Sequence, residues 1–230
     1  MTRTYRDGFP HVAYCPERVD PAEGLARGRT LLEKLQQRRS VRFFTDEPVS
    51  QEMIETAIRA ASTAPSGAHQ QPWTFVAISD KSLQRQIRVA AEEEERISYA
   101  GRMSDEWLEA LRPIGTDWQK PFLETVPWIV VVFAQNYGMA DDGSKLKHFY
   151  VRESVGIACG MFISALHEMG LSTLTHTPSP MGFLSNILDR PANEKAFILF
   201  PVGYAAADAT VPDLHRKGLS EVSDWKISKA

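Results

Sequence analysis

Three arginines lie within five residues of one another, in the segment Arg38-Arg39-Ser40-Val41-Arg42. A guanidinium group is a planar set of N–H donors that can make two parallel hydrogen bonds to a phosphate. No Rossmann loop or P-loop is present, so a nucleotide cofactor would need such a device to hold its phosphate. A basic segment can also simply stabilise the end of a helix, and the motif alone leaves both interpretations open.

A second candidate for ligand binding is the turn-forming segment APSGAH at residues 64–69. Pro65 fixes one backbone φ angle, and Gly67 allows the backbone to approach a ligand closely. The N–H groups of such a turn form a donor array that suits a flat heterocycle or an oxyanion. Ser66 could also be a hydrolase nucleophile, although the nucleophile elbow G-x-S-x-G is absent. The remaining alternative is an ordinary loop before a strand.

The composition is that of an ordinary globular protein, with 43% hydrophobic and 24% charged residues in a chain of 230. The net charge of -3 favours neither nucleic acid nor an anionic membrane as a partner. Cys15 and Cys159 form no C-x-x-C pair, and no cluster has the spacing of a zinc site, so we expect no metal. The polar N-terminus and the shortness of the longest apolar run, residues 155–166, predict a soluble, cytoplasmic protein.

The hydrophobic pattern predicts helices that alternate loosely with strands, and therefore an α+β fold with one central sheet. Predicted helices cover residues 21–37, 51–61, 81–95, 104–111 and 151–169. Predicted strands cover residues 74–78, 128–134, 172–177 and 197–202. Residues 1–20 are expected to be an irregular arm. The tail from residue 203 has few apolar anchors, so we expect it to be disordered or docked, for example on a partner subunit.

The order and spacing of these segments resemble the nitroreductase superfamily of FMN enzymes. RRSVRFF is followed by a capped amphipathic helix and then by TAPSGAHQQPWTFV. The segments EEEERISYAGRM, DWQK, LTHTP and PVGYAAADATVPDLHRK are similar to one branch of that superfamily, the iodotyrosine deiodinases. The resemblance covers residues 32–217, which is most of the chain.

The resemblance implies a nitroreductase-like fold, in which helices flank a mostly antiparallel central sheet. It also implies a domain-swapped homodimer, with FMN at the interface and both subunits contributing to each site. Residues 1–230 would form a single FMN-binding domain, with an N-terminal arm (1–20), a substrate lid (92–120) and a C-terminal extension (203–230). Reducing equivalents would come from NAD(P)H, either directly or through a partner reductase.

The resemblance also assigns the contacts to FMN. They fall on Arg38, Arg39, Ser40, Val41 and Arg42, on Pro65, Ser66 and Gly67, on Thr175, His176 and Thr177, and on Arg216. The arginines would hold the phosphate and one edge of the flavin. The hydroxyl of Thr177 would bond to the flavin N5 and tune the cofactor towards one-electron transfer. His176 stands where the animal enzymes tend to have threonine.

The predicted lid carries the residues that would select the substrate. By the resemblance, Glu95, Tyr99 and Lys120 grip the zwitterion of an amino acid, because a carboxylate suits an ammonium and a lysine suits a carboxylate. Glu95 and Tyr99 share one helix face at a spacing of four residues. Ala68 would offer its backbone N–H to the substrate phenolate. Taken alone, the acidic run at residues 92–95 is equally compatible with a solvated helix face.

The expected function is the reductive removal of halogen from a halogenated tyrosine, giving tyrosine and halide. The first alternative is a general NAD(P)H-dependent nitroreductase or quinone reductase on the same fold. The second alternative is a protein that binds flavin or halotyrosine without significant turnover. No protein nucleophile is expected to take part in the reaction.

Overall fold

The computed structural model describes residues 3–228, which form two compact units that divide between Arg38 and Arg39. The first unit contains, in chain order, strands β1 (Arg3–Arg6) and β2 (Phe9–Val12) and helix α1 (Pro21–Gln37). Asp20 caps α1 by accepting hydrogen bonds from backbone N–H groups of its first turn. None of the residues of α1 is buried.

Strands β1 and β2 form an antiparallel hairpin, so the prediction of an irregular arm over residues 1–20 is wrong for residues 3–12. Residues 1 and 2 lie outside the described part of the chain. Asp7 and Gly8 connect the two strands with φ angles of +50° and +84°. A two-residue hairpin loop commonly requires positive φ angles, and the pair Asp-Gly adopts them readily.

The second unit contains the remaining helices and strands. The helices are α2 (Gln51–Ala61), α3 (Lys81–Ile97), α4 (Asp105–Leu111), α5 (Phe122–Thr125), α6 (Val151–Glu168), α7 (Gly182–Ile187) and α8 (Leu219–Val222). The strands are β3 (Trp73–Ile78), β4 (Trp128–Gln135), β5 (Tyr137–Met139), β6 (Lys145–Lys147), β7 (Ser172–Thr173) and β8 (Glu194–Gly203).

The central sheet has the strand order β3-β4-β8-β7, and all neighbouring strands in it are antiparallel. Along β4, Val130 and Val132 pack into a core with α2 and α6. Ile129, Val131 and Phe133 pack into a second core with α3, α5 and α7. Successive side chains of a strand point to opposite faces, so a run of apolar residues without alternation is buried on both sides. The predicted α+β fold with an antiparallel sheet is confirmed.

Side-chain caps mark the starts of α2, α3 and α4. Ser50 accepts a hydrogen bond from the backbone of α2, and Asp80 and Ser104 do the same for α3 and α4. Gly170, with a φ angle of +76°, follows the end of α6. Strand β7 is shorter than predicted, because after Ser172–Thr173 only His176 makes a further isolated bridge.

The short elements α5, α7 and the β5–β6 hairpin were not predicted, and the tail between residues 204 and 228 contains little regular structure apart from α8. No helix between residues 3 and 228 is both long enough and apolar enough to cross a membrane. In the same range, no three His, Cys, Asp or Glu residues form a group that could hold a metal ion. Cys159 is buried in the core, and its burial raises the pKa of the thiol to about 12.

Candidate active site

A cavity of about 370 Å³ lies in the second unit, on the side of the sheet that carries α3 and α5. Its wall is built from the end of α3, the following turns, the loop before α5, and the segment that follows β7. It is lined by Arg42, Glu95, Ser98, Tyr99, Arg102, Met103, Trp107, Leu111, Thr116, Lys120, Phe122, Leu174, Thr175, His176, Thr177 and Ser179. The structure thus brings together the three predicted lid residues and four of the predicted cofactor residues.

Lys120 is the most buried ionisable group of the lid, at 3% exposure. Its ammonium lies 3.8 Å from the Glu95 carboxylate and donates to the Asp117 carbonyl oxygen and, at 3.4 Å, to the Thr116 hydroxyl. Its backbone N–H donates to the Glu92 carboxylate at 2.6 Å. Burial lowers the pKa of Lys120, and the negative charge of Glu95 opposes that shift.

Glu95 and Tyr99 face the same cavity from consecutive turns. Burial raises the pKa of the Glu95 carboxyl, while the Lys120 ammonium opposes the rise. Burial also raises the pKa of the Tyr99 hydroxyl, and the negative charge of Glu95 raises it further. This hydroxyl donates a hydrogen bond to the Thr116 carbonyl oxygen at 3.1 Å. A carboxylate and an ammonium that have both lost water are stabilised by groups of opposite charge. The ammonium group of an amino acid zwitterion can pair with such a carboxylate, and its carboxylate group can pair with such an ammonium.

Arg42 brings a second positive charge to the cavity. It is half-buried, and burial lowers the pKa of its guanidinium. Among residues 3–228, we find no hydrogen bond or ion pair that engages this guanidinium, although Tyr99 interacts with it electrostatically. A partly desolvated cation without a carboxylate partner is suited to an anionic ligand.

His176 provides an uncharged polar group in the same wall. Its backbone is fixed by two hydrogen bonds with Leu199, of 2.9 and 3.0 Å, and its ring lies edge-on to Phe122 with centroids 6.1 Å apart. Burial, together with the positive charges of Lys120 and Arg42, lowers the pKa of His176 to about 3, so the imidazole is neutral. Its Nε2 atom is buried and has no hydrogen-bond partner within the described part of the chain. Such an atom is a natural contact for a polar ligand atom.

The other residues of the arginine motif do not line this cavity. The Arg39 guanidinium donates to the Pro212 carbonyl oxygen. Ser40 forms a parallel bridge with Thr173. Val41 is buried in the core, and Arg38 belongs to the first unit.

The tail residue Arg216 is exposed and does not line the cavity either. A second cavity of about 280 Å³ has Arg42 in its wall together with residues of the tail. Its tail residues are Thr210, Val211 and Pro212. The tail therefore docks on its own chain here through Pro212, while the role predicted for Arg216 at a phosphate stays a prediction.

The turn at residues 65–68 lies against the start of α6 and not in the cavity. The Gly67 N–H donates to the Ser154 hydroxyl at 3.3 Å. The Ser66 hydroxyl accepts a hydrogen bond from the backbone N–H of Gln71 at 2.9 Å, which holds it within the turn. Ala68 has a φ angle of +48°.

Gly67 is required by close packing. A Cβ atom at this position would lie 2.5 Å from the carbonyl oxygen of Phe149. We expect Gly67→Ala to lower the free energy of unfolding by roughly 1–3 kcal/mol, as overpacking does elsewhere. Urea unfolding measures the change. Gly182→Ala is the matched control, because a Cβ there meets no atom within 4 Å; equal stability loss in both variants would contradict the packing explanation.

Several residues of the cavity were not predicted. Trp107 and Leu111 on α4, together with Phe122 and Leu174, give the cavity an apolar wall. The spacing of Trp107 and Leu111, four residues apart on a short helix, indicates a shared face. It does not indicate what that face contacts, because the helix has no buried residue of its own.

Comparison with known proteins places these features in context. The Nitroreductase family matches residues 35–204. The iodotyrosine deiodinase of Haliscomenobacter hydrossis is 52% identical over 211 residues, covering 92% of this chain and 95% of that protein. The iodotyrosine deiodinase of Danio rerio is 45% identical over 223 residues, covering 96% of this chain and 76% of that protein.

Solved structures show the same similarity. A crystal structure of oxidized iodotyrosine deiodinase bound to FMN and 3-iodo-L-tyrosine superposes with a TM-score of 0.72 at 28% identity, covering 85% of this chain and 100% of that one. A BluB-like flavoprotein from Clostridium difficile 630 superposes with a TM-score of 0.67 at 19% identity, covering 86% and 99%. The second likeness concerns the fold alone.

Proposed function

The chain belongs to the nitroreductase family and, within it, to the iodotyrosine deiodinase branch, and on that premise we propose that it removes halogen reductively from halogenated tyrosine with FMN as cofactor. The observation that carries this proposal is the cavity in which Glu95, Tyr99 and Lys120 meet Arg42 and Thr177. The first three suit the charged end of an amino acid. Arg42 and Thr177 lie in the two segments to which the family resemblance assigns contacts with the flavin.

The residues of the cavity fit FMN. Among residues 3–228, the positive charge of Arg42 has no carboxylate partner and the buried Nε2 atom of His176 has no hydrogen bond. FMN carries an anionic phosphate and a ring edge of carbonyl and nitrogen atoms, which are complementary to these groups. We propose that Thr175 and the hydroxyl of Thr177, both exposed to the cavity, contact the flavin, with Thr177 at N5. When bound, FMN supplies the two electrons of the reaction.

The lid residues bind and orient the substrate. Glu95 accepts hydrogen bonds from the substrate ammonium, Lys120 donates to its carboxylate, and Tyr99 bonds to either. A substrate that fills the cavity between them displaces water from around its reacting ring. The reaction consumes two electrons and one proton: the carbon–halogen bond breaks, halide leaves with the bonding pair, and a proton takes its place on the ring. The product is tyrosine.

A homodimer completes the site in this proposal. Pro65, Ser66, Gly67 and Ala68 do not line the cavity of their own chain, yet the resemblance assigns the first three to the flavin and Ala68 to the substrate phenolate. A second copy could supply them. Helix α1 supports such an assembly, because it has no buried residue and exposes several leucines. Light scattering of the purified protein measures its oligomeric state. A protein that is monomeric and still converts 3-iodotyrosine would contradict the proposed homodimer.

The same proposal includes the contacts to the FMN phosphate, the electron donor and the cellular compartment. Arg38, Arg39, Ser40 and Arg216 contact the phosphate in the assembled dimer, and NAD(P)H supplies reducing equivalents directly or through a reductase. A cytoplasmic location is consistent with the two cysteines, Cys15 and Cys159, which are both free.

One anaerobic experiment tests the function. The purified holoenzyme is reduced with dithionite, 3-iodotyrosine is added, and flavin absorbance and tyrosine are followed together. Stoichiometric flavin oxidation with equal formation of tyrosine is the expected result. A flavin that stays reduced with iodotyrosine but is oxidised rapidly by a nitroarene or a quinone would favour the general reductase. Binding of iodotyrosine without oxidation would favour a binding protein.

His176 gives a prediction about cofactor affinity. We expect His176→Leu to weaken FMN binding by roughly 2- to 10-fold, the value of one neutral hydrogen bond, since leucine cannot bond to the flavin. Titration of apoprotein with FMN, followed by flavin fluorescence, measures the change. Thr45→Val is the matched control, because the Thr45 hydroxyl is also buried with no hydrogen-bond partner in the range 3–228 but lies outside the cavity. An unchanged FMN affinity in His176→Leu would refute the contact.

A further inference from the structure

The acidic run on α3 divides between the solvent and the protein interior. Glu93 pairs with Arg96 at the surface, and its side chain is 54% exposed. The side chains of Glu92 and Glu95 are only 16% and 12% exposed. Residues three apart on a helix share one face, so these two carboxylates point in similar directions. Glu95 lines the cavity and Glu92 does not, so contact with a substrate does not explain why Glu92 is largely buried.

Both of these carboxylates contact Lys120, at opposite ends of the residue. The Glu95 carboxylate lies 3.8 Å from its ammonium, and the Glu92 carboxylate accepts a hydrogen bond of 2.6 Å from its backbone N–H. The Lys120 carbonyl oxygen accepts a hydrogen bond of 3.1 Å from the Leu123 N–H in α5. The backbone of Lys120 is thus held on both sides of its Cα atom, and the side chain starts from a fixed point.

The Glu92 carboxylate is itself held in place by Arg88. The Arg88 Nε donates at 2.8 Å to the same Glu92 oxygen that accepts from Lys120, and the Arg88 Nη1 donates to the Glu124 carboxylate at 3.3 Å. Glu124 belongs to α5, so Arg88 connects Glu92 to the helix that follows Lys120. Hydrogen bonds between ionised groups are shorter and stronger than neutral ones. They hold the Glu92 carboxylate in the orientation in which it accepts from Lys120.

A lysine requires a fixed backbone in order to place its ammonium. The stem of four carbon atoms is flexible, so a shift of the backbone moves the charge relative to the substrate carboxylate. Binding groups must be held to within about 0.5 Å of the productive geometry by their surroundings. Removal of the Glu92 acceptor would leave a buried backbone N–H without its partner, and movement of the backbone would relieve that cost.

We propose that Glu92 is a positioning residue that fixes the place of the Lys120 ammonium, and with it the preference for substrates that carry a carboxylate. The inference rests on the proposed function, because it concerns the lysine assigned to the carboxylate of halotyrosine. Glu92 acts through the backbone of Lys120, while Glu95 acts on the ammonium.

The test measures dissociation constants of the holoenzyme by quenching of flavin fluorescence. Glu92→Met removes the acceptor, and we expect it to bind 3-iodotyrosine about tenfold more weakly, the value of a hydrogen bond to a charged group. 3-Iodotyramine lacks the carboxylate, so its dissociation constant should stay close to the wild-type value. Glu92→Gln keeps an oxygen that can accept from the Lys120 N–H, so it should recover most of the lost affinity.

A double variant separates positioning of Lys120 from a general effect on the fold. If Glu92 acts through Lys120, adding Glu92→Met to Lys120→Met should weaken 3-iodotyrosine binding no further, because the ammonium is already gone. Glu93→Met is the matched control, since it makes the same change one residue away in a surface ion pair. It should bind both ligands as wild type does.

Three results would overturn the inference while the proposed function stands. The first is a wild-type affinity for 3-iodotyrosine in Glu92→Met. The second is a general effect of that variant, seen as loss of FMN, as an equal loss with 3-iodotyramine, or as additive losses in the double variant. The third is an equal loss in Glu92→Gln and Glu92→Met, which would exclude the N–H hydrogen bond as the cause. If wild type itself neither binds nor converts 3-iodotyrosine, the proposed function fails and the inference fails with it.

Discussion

Replacing Lys120 with methionine is expected to weaken 3-iodotyrosine binding by roughly 10- to 100-fold, which corresponds to the ~1.5–3 kcal/mol of a hydrogen bond to a charged group. The reason is the position of its ammonium, which is buried in the cavity wall 3.8 Å from Glu95. The substrate carboxylate loses its cation in this variant. Methionine keeps most of the apolar stem, so the cavity retains its shape. Quenching of flavin fluorescence by 3-iodotyrosine measures the dissociation constant.

Substrate analogues locate the loss on the carboxylate. 3-Iodotyramine lacks that group, so it should bind wild type and Lys120→Met with similar affinity. Lys145→Met is the control variant, because Lys145 is an exposed lysine of β6 outside the cavity. If Lys120→Met bound 3-iodotyrosine as wild type does, or lost the same factor with 3-iodotyramine, Lys120 would not be the carboxylate ligand.

The elements that the sequence predicts well are those with local causes. Ser50 and Asp80 cap their helices through hydrogen bonds to residues two or three positions away, so the boundary is encoded locally. Strand β4 was predictable because an apolar run without alternation can be satisfied only between two cores. Strand β7 ends earlier than predicted, because between residues 174 and 177 only His176 makes a further bridge, to Leu199.

The residues of the site likewise divide into those placed by local spacing in the sequence and those placed by packing between distant segments. Glu95 and Tyr99 come together because four residues of helix place them on one face, and that spacing is visible in the sequence. The approach of Lys120 to Glu95 depends on the packing of α5 against α3, which spacing along the chain does not encode. Val41 and Arg42 are neighbours in extended chain, so their side chains point in opposite directions, one into the core and one into the cavity. The arginine motif predicted a positively charged binding site without indicating which arginine faces the ligand.

Arg42→Met is expected to weaken FMN binding by roughly 10- to 100-fold, since a charge-assisted contact contributes ~1.5–3 kcal/mol. The apoprotein should remain as stable as wild type, because the variant removes a partly buried charge for which we find no ion-pair partner among residues 3–228. Flavin fluorescence measures the FMN affinity and urea unfolding measures the stability. A lower FMN affinity together with an unchanged free energy of unfolding identifies a residue whose role is to bind the ligand.

Two further variants separate the charge of Arg42 from its shape. Arg42→Lys keeps the positive charge but loses the planar set of donors, so its FMN affinity should fall between wild type and Arg42→Met. Arg59→Met, at an exposed arginine of α2 outside the cavity, should bind FMN as wild type does. If Arg42→Met lost stability while its FMN affinity stayed the same, the guanidinium would serve the fold, and the anionic ligand would have to be held by other residues of the arginine motif.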